Sequence, residues 1–176
     1  NVSDNYIYEL KSVIINSNRY LIYEKDLIEI NTLYPDLKIG IFTRAPRKYS
    51  EILLSQYYSN AKWSVLISYD DTRYTKPNPE GINMACQKLS ITDLDRVAVI
   101  GDSKEDIESG FRAGCLSVLS RIGFNETNKN NSLSLISETV INTREEVLKL
   151  IETPQIFMPL LESRQVNSKI SLDSNV

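Results

Sequence analysis

Short apolar runs alternate along this chain with segments of helical period, and that alternation limits the fold more than any other feature. Residues 13–15 (VII), 37–43 (LKIGIFT), 64–68 (SVLIS), 96–101 (RVAVIG), 116–119 (LSVL) and 138–141 (ETVI) each read as a strand. Strands separated by helices form a parallel sheet, because parallel neighbours need a long return path and a helix supplies it. Pro46 suits the start of a helix carrying Tyr49, Ile52, Leu53 and Tyr57 at helical spacing. Asn78 and Pro79 read as the N-cap and first residue of the next helix, whose Ile82, Ala85, Cys86 and Leu89 form an i, i+3, i+4, i+7 stripe. Residues 96–101 are almost entirely apolar, as expected of a strand covered on both faces. Ser103 caps another helix and Gly114 ends it; Thr143 caps a last one that stops before Pro154. The expected architecture is α/β: a Rossmann-like parallel sheet of about five to six strands with helices on both faces.

With 176 residues, 41% of them hydrophobic and 24% charged, the chain has the composition of one globular domain, expected over residues 1–155. Residues 156–176 read as a polar tail or linker, aperiodic from Glu162 onward, and 125–134 (NETNKNNSLS) as a polar loop. No apolar run approaches the ~18 residues of a membrane-spanning helix. The opening NVSDNYIYEL lacks a signal-peptide pattern, and without an initial Met an excerpt or a processed product is expected. A net charge of −3 without a basic stripe does not indicate a nucleic-acid partner. Cys86 and Cys115 lack metal-ligand spacing and read as small buried apolar residues, which fits a reducing, cytoplasmic setting. There is no histidine, which removes Ser-His-Asp and Cys-His mechanisms and His-bound zinc together.

Three segments place reactive side chains at the C-terminal ends of expected strands, where open α/β sheets bind ligands. Thr43 and Arg44 stand just before a helix start, whose N–H groups and dipole suit a phosphate. Lys76, held in Thr75-Lys76-Pro77-Asn78-Pro79, would neutralise a phosphoryl oxygen as a point charge. Asp102 and Asp106 follow the apolar strand and Gly101, which lets the backbone turn tightly; at i, i+4 they share one side of a helix start and suit Mg²⁺. Each has a plainer reading: a helix cap, a solvated lysine, or acids complementing a helix dipole.

Taken in order, Thr43, Lys76 in KPNP, and Asp102 and Asp106 in GDSKED, with Gly110 and Ala113-Gly114, resemble motifs two to four of the haloacid dehalogenase (HAD) superfamily of phosphatases. The resemblance implies a first motif of Asp-x-Asp-Gly-Thr after an apolar strand. The matching segment here is residues 11–21, where Asn16 and Asn18 stand at the two aspartate positions and Arg19-Tyr20 at Gly-Thr. Two readings stay open: a degenerate motif on the central strand, or a plain hairpin over 12–24 with the true motif elsewhere. In active members the first Asp attacks phosphorus and the second moves the proton, so amides at these positions imply impaired catalysis and weak Mg²⁺ binding. Lys76, or Arg19, is then expected to neutralise Asp102. Twenty-six residues between Asn16 and Thr43, and 32 between Thr43 and Lys76, leave no room for a large cap domain. The site edge would be open to a macromolecule or covered by a partner. The leading expectation is a catalytically impaired domain that keeps a phosphate-binding pocket for binding, regulatory or scaffolding use, with a phosphate-bearing ligand or a protein as its partner. The alternatives are an active Mg²⁺-dependent phosphomonoesterase with a displaced nucleophile such as Asp4, and an interaction module with a vestigial pocket.

Overall fold

The computed structural model describes residues 22–122, 137 and 139–152. Asp4, the segment with Asn16, Asn18, Arg19 and Tyr20, the loop over 125–134 and the tail over 156–176 lie outside the described residues, as does the strand expected at 12–16.

The elements run α1 (Glu24–Leu33), β1 (Gly40–Phe42), α2 (Arg47–Tyr57), β2 (Val65–Ile67), α3 (Glu80–Lys88), β3 (Ala98–Gly101), α4 (Lys104–Ala113), β4 (Leu116–Ser120), β5 (Thr139–Ile141) and α5 (Arg144–Glu152). All strand pairs are parallel. β1 pairs with β2 in the register Gly40–Val65 to Phe42–Ile67, and β3, β4 and β5 form a second run in that order. α3 packs on β1 and β2 and also on α4, joining the two runs.

Successive residues of a strand point to opposite faces, and the core divides accordingly. Leu116 and Val118, with Ile100, meet Ile141, Val147 and Leu150 on the α5 side. Cys115, with Val97 and Val99, meets Ile82, Cys86 and Ala113 on the other side, so both thiols are free and buried. Helices therefore cover both faces. The complete burial expected of the strand ending at Gly101 belongs instead to β4; β3 runs from an exposed Ala98 to half-buried residues. Among the described residues β4 has a neighbour on each side and β3 on one only.

Caps follow the sequence closely. Ser103 Oγ accepts from Asp106 N, Gly114 is left-handed (φ 82°), and Thr143 Oγ1 accepts from Glu146 N. The third helix is displaced by one residue from its expected start: Pro79 is the N-cap, and Asn78 Oδ1 accepts from Glu80 N. α1 buries Leu27 and Ile30 and is tied down by the Tyr58 hydroxyl donating to Ile22 O and by a reciprocal Asn31–Lys62 pair. Between Thr43 and Lys76 stand only α2, β2 and the 3₁₀ turn Tyr69–Asp71, so no cap domain is inserted there.

Candidate functional site

β1 and β2 are parallel and end together, and Lys76, in the segment that follows β2, joins the end of β1 to the start of the helix that follows β3. Lys76 is the junction. Its Nζ donates to the carbonyl of Phe42, the last residue of β1, at 2.7 Å and to Asp106 Oδ1 at 2.7 Å. It also lies 4.5 Å from the centroid of the Phe42 ring. Both charged side chains are 13% exposed, so the pair is largely withdrawn from water. Asp106 Oδ2 accepts from Ser103 N at 3.1 Å and Ser103 Oγ at 2.7 Å, closing a capping box at the start of α4. Burial alone would push the Asp106 carboxyl up. The Lys76 charge, with the bonds from Lys76 and Ser103, outweighs it and holds the group below the usual carboxylate range. An ammonium has three N–H donors; among the described residues two serve Phe42 O and Asp106, which leaves one for a ligand oxygen.

Thr43 follows Phe42 directly. Its amide donates to Ile67 O, and its Oγ1 accepts from Ala45 N at 3.1 Å, so among the described residues the hydroxyl hydrogen is left for an incoming acceptor. Arg44 is exposed beside it. Asp102 is also exposed, and it precedes the N-cap rather than joining the helix. The chain bends at Asp102-Ser103 before α4 begins, so helical i, i+4 spacing does not relate Asp102 to Asp106. Lys76 consequently neutralises Asp106, not Asp102 as expected. Gly101 also differs from its expected role: it ends β3 without a positive φ, and its missing side chain makes room for Asp106, whose Cβ would lie 2.2 Å from a Cβ added there. Asn16 and Asn18 lie outside the described residues.

The α2 start is not the open anion site anticipated. Arg47 N donates to Asp70 Oδ2 at 2.5 Å, so a carboxylate already occupies the first amide of the helix. The Arg47 guanidinium bonds Asp71 Oδ2 and Leu66 O, and Asp71 Oδ2 also accepts from the amide and hydroxyl of Ser68. No local motif announces these contacts across 23 and 24 residues. Burial acts to raise the Asp71 carboxyl, but the Ser68 bonds and then Arg47 bring it down to about 2. A depressed carboxyl stabilises the fold above its unfolded pKa and loses that contribution as pH falls through the folded one. Asp71→Asn is therefore expected to cost roughly 1 kcal/mol at pH 7, reduced by solvent screening. The gap to the parent should close as pH falls from about 4 toward 2, as measured by urea unfolding at stepped pH.

Among the described residues no group of three or more His, Cys, Asp or Glu gathers as a metal cage. Mg²⁺ usually keeps several waters and takes one or two carboxylates. Asp102 offers one, whereas the oxygens of Asp106 already bond Lys76 and Ser103. The described donor set thus fits Mg²⁺ only in part.

Residues 10–120 match the family model of haloacid dehalogenase-like hydrolases. This chain belongs to that family. The N-acetylmuramic acid 6-phosphate phosphatase of Pseudomonas putida is 31% identical over 116 residues, 65% of this chain and 50% of that protein. A phosphoglycolate phosphatase of Salmonella paratyphi A is 33% identical over 89 residues, 51% of this chain and 35% of that protein. The chain thus spans half or less of these relatives. A predicted phosphoglycolate phosphatase from Haemophilus somnus superposes with a TM-score of 0.61 at 20% identity, covering 72% of this chain and 55% of that one. CbbY from Rhodobacter sphaeroides, in complex with phosphate, gives 0.55 at 16% identity, covering 70% and 53%. At these identities the likeness to the two solved structures is one of fold. No helix among the described residues is long and apolar enough to cross a membrane.

Proposed function

We propose that this haloacid dehalogenase-like domain binds the phosphoryl group of a phosphomonoester at the strand ends and is impaired in hydrolysing it. The observation that carries the binding half is the Lys76 ammonium, which bonds the carbonyl of the residue before Thr43 and, among the described residues, has one N–H donor to spare. That donor and the Thr43 hydroxyl, with Arg44 at the rim, would neutralise and orient phosphoryl oxygens. The impaired half rests on Asn16 and Asn18. The family match begins at residue 10 and so takes in this segment, which supports its reading as the first motif. An amide is a poor nucleophile toward phosphorus, and it cannot donate and recover a proton near neutral pH. Mg²⁺, held by Asp102 with waters, would supply charge to the phosphoryl oxygens, and it would bind weakly without a carboxylate at Asn16. Buried free thiols fit a reducing compartment such as the cytoplasm.

The second reading is an active phosphatase, favoured by the names of the relatives that align with this chain. Hydrolysis separates them, and calorimetry tests the pocket that both require. Calorimetry with inorganic phosphate should show binding, and the parent chain should not hydrolyse an aryl phosphate with or without Mg²⁺. The double substitution Asn16→Asp, Asn18→Asp should tighten Mg²⁺ binding. Metal-dependent turnover by the unaltered chain on the order of 1 per second would replace the impaired reading with the active one.

A further inference from the structure

We propose that Phe42 is the positioning residue for the Lys76 ammonium, acting through its ring face as well as its carbonyl. The proposal bears on the site described above, and its phosphate readout alone rests on the phosphate-binding reading. Three observations converge. Nζ is 2.7 Å from Phe42 O and 4.5 Å from the ring centroid. The ring lies over the first turn of α3, so a Cβ on Gly81 would fall 2.3 Å from Cε2 and 2.4 Å from Cζ. The same ring packs against the cluster of Ile82, Cys86, Ala113 and Cys115. Phe42 is therefore held between the helix backbone and the lysine.

A lysine head on a four-carbon stem can swing while keeping one bond to a carboxylate. The negative face of an aromatic ring, in a site largely withdrawn from water, closes off one side of that swing and attracts the charge. The remaining N–H is then held to a narrow range of directions. A phenylalanine that merely fills the core would owe nothing to its quadrupole, and this separates the two roles.

The experiment places 4-fluoro-, 3,5-difluoro- and 3,4,5-trifluorophenylalanine at position 42 of the full chain. Fluorine drains the ring face and leaves ring shape and core packing nearly intact. The primary readout is the exchange of the Lys76 ammonium protons with water, followed by nitrogen-15 NMR. Exchange should quicken stepwise with fluorination, reaching about threefold to fivefold for the trifluoro ring, while the thermal midpoint stays constant. Inorganic phosphate should weaken by a similar factor. Gly81→Ala, which drives a methyl into the ring, should quicken exchange as well, and the fluorine series stands if that variant does not fold. Exchange that stays flat across the series, with Phe42→Leu losing stability, would overturn the proposal and leave Phe42 as a core residue. Exchange that tracks fluorination in a chain that does not bind phosphate would uphold the positioning role and overturn the phosphate-binding reading instead.

Discussion

Lys76→Met is expected to lower the thermal midpoint by about 6–12 °C at neutral pH and to abolish phosphate binding. The reason is the carboxylate left behind. With both side chains 13% exposed, Asp106 would lose its counter-ion in a site where water does not replace it. Removing one partner of a buried pair costs ~3–5 kcal/mol, and the residual exposure and the surviving Ser103 bonds favour the lower end, about 3 kcal/mol. In a domain of this size each kcal/mol moves the midpoint by roughly 2–4 °C. The pH dependence identifies the cause. In the parent, Asp106 is held below its ordinary range, so its contribution is complete above that range and declines in acid. Without Lys76, burial becomes the dominant influence and raises the carboxyl, so the penalty is largest at neutral pH and is relieved on acidification. The gap between parent and variant should therefore narrow as pH falls. Adding Asp106→Leu should recover much of the loss, because an apolar pair of similar volume can replace a buried ion pair at little cost. A loss below about 1 kcal/mol would place the pair among ordinary surface ion pairs.

The junction also accounts for how much of the molecule is legible in its residues. β1 to β5 stand out because their apolar runs are short and bounded by capping residues, and each is found within a few residues of its expected span. Ser103 and Gly114 are read correctly because caps depend on neighbours three or four residues away. The Ser103–Asp106 box has the same local origin, a serine followed three residues later by an acid, although the spacing predicts that Asp106 faces Mg²⁺. Contacts that depend on distant parts of the chain are not legible. Nothing near Arg47 reports that Asp70 will cap its helix, and nothing near Lys76 reports that a carbonyl 34 residues earlier will accept from it. Residue type and spacing point to Thr43, Lys76 and Asp106, and the structure joins Lys76 to Asp106 and to the carbonyl just before Thr43. The bend at Asp102 decided which acid meets the lysine. α1 escapes a specific assignment because its buried face is only Leu27 and Ile30 in a stretch otherwise polar or exposed.

Gly101→Ala is expected to destabilise the domain by about 3 kcal/mol, well beyond an ordinary glycine substitution in a strand. Its added Cβ would lie 2.2 Å from Asp106 Cβ and 2.6 Å from Cγ. Those atoms are the root of a side chain on a helix, not the far end of a flexible one, so α4 must shift away from β3. That shift would carry Asp106 away from Lys76, adding part of the ion-pair loss to the overpacking cost of ~1–3 kcal/mol. Gly114 provides the comparison. A Cβ there meets nothing closer than Leu94 Cδ1 at 4.0 Å, but the residue has φ +82°, so Gly114→Ala should cost only about 1 kcal/mol through backbone strain. Asparagine separates the two causes, since it tolerates the left-handed conformation better than alanine does. At position 114 it should be milder than alanine; at 101 it should be at least as damaging. Because the obstacle is the Asp106 Cβ, adding Asp106→Ala to Gly101→Ala should not relieve the crowding, whereas adding Asp106→Gly should relieve it. Urea unfolding of the six variants measures each comparison. A Gly101→Ala loss no larger than that of Gly114→Ala would mean that β3 and α4 are free to separate, and Asp106 would then owe its position to Lys76 and Ser103 alone.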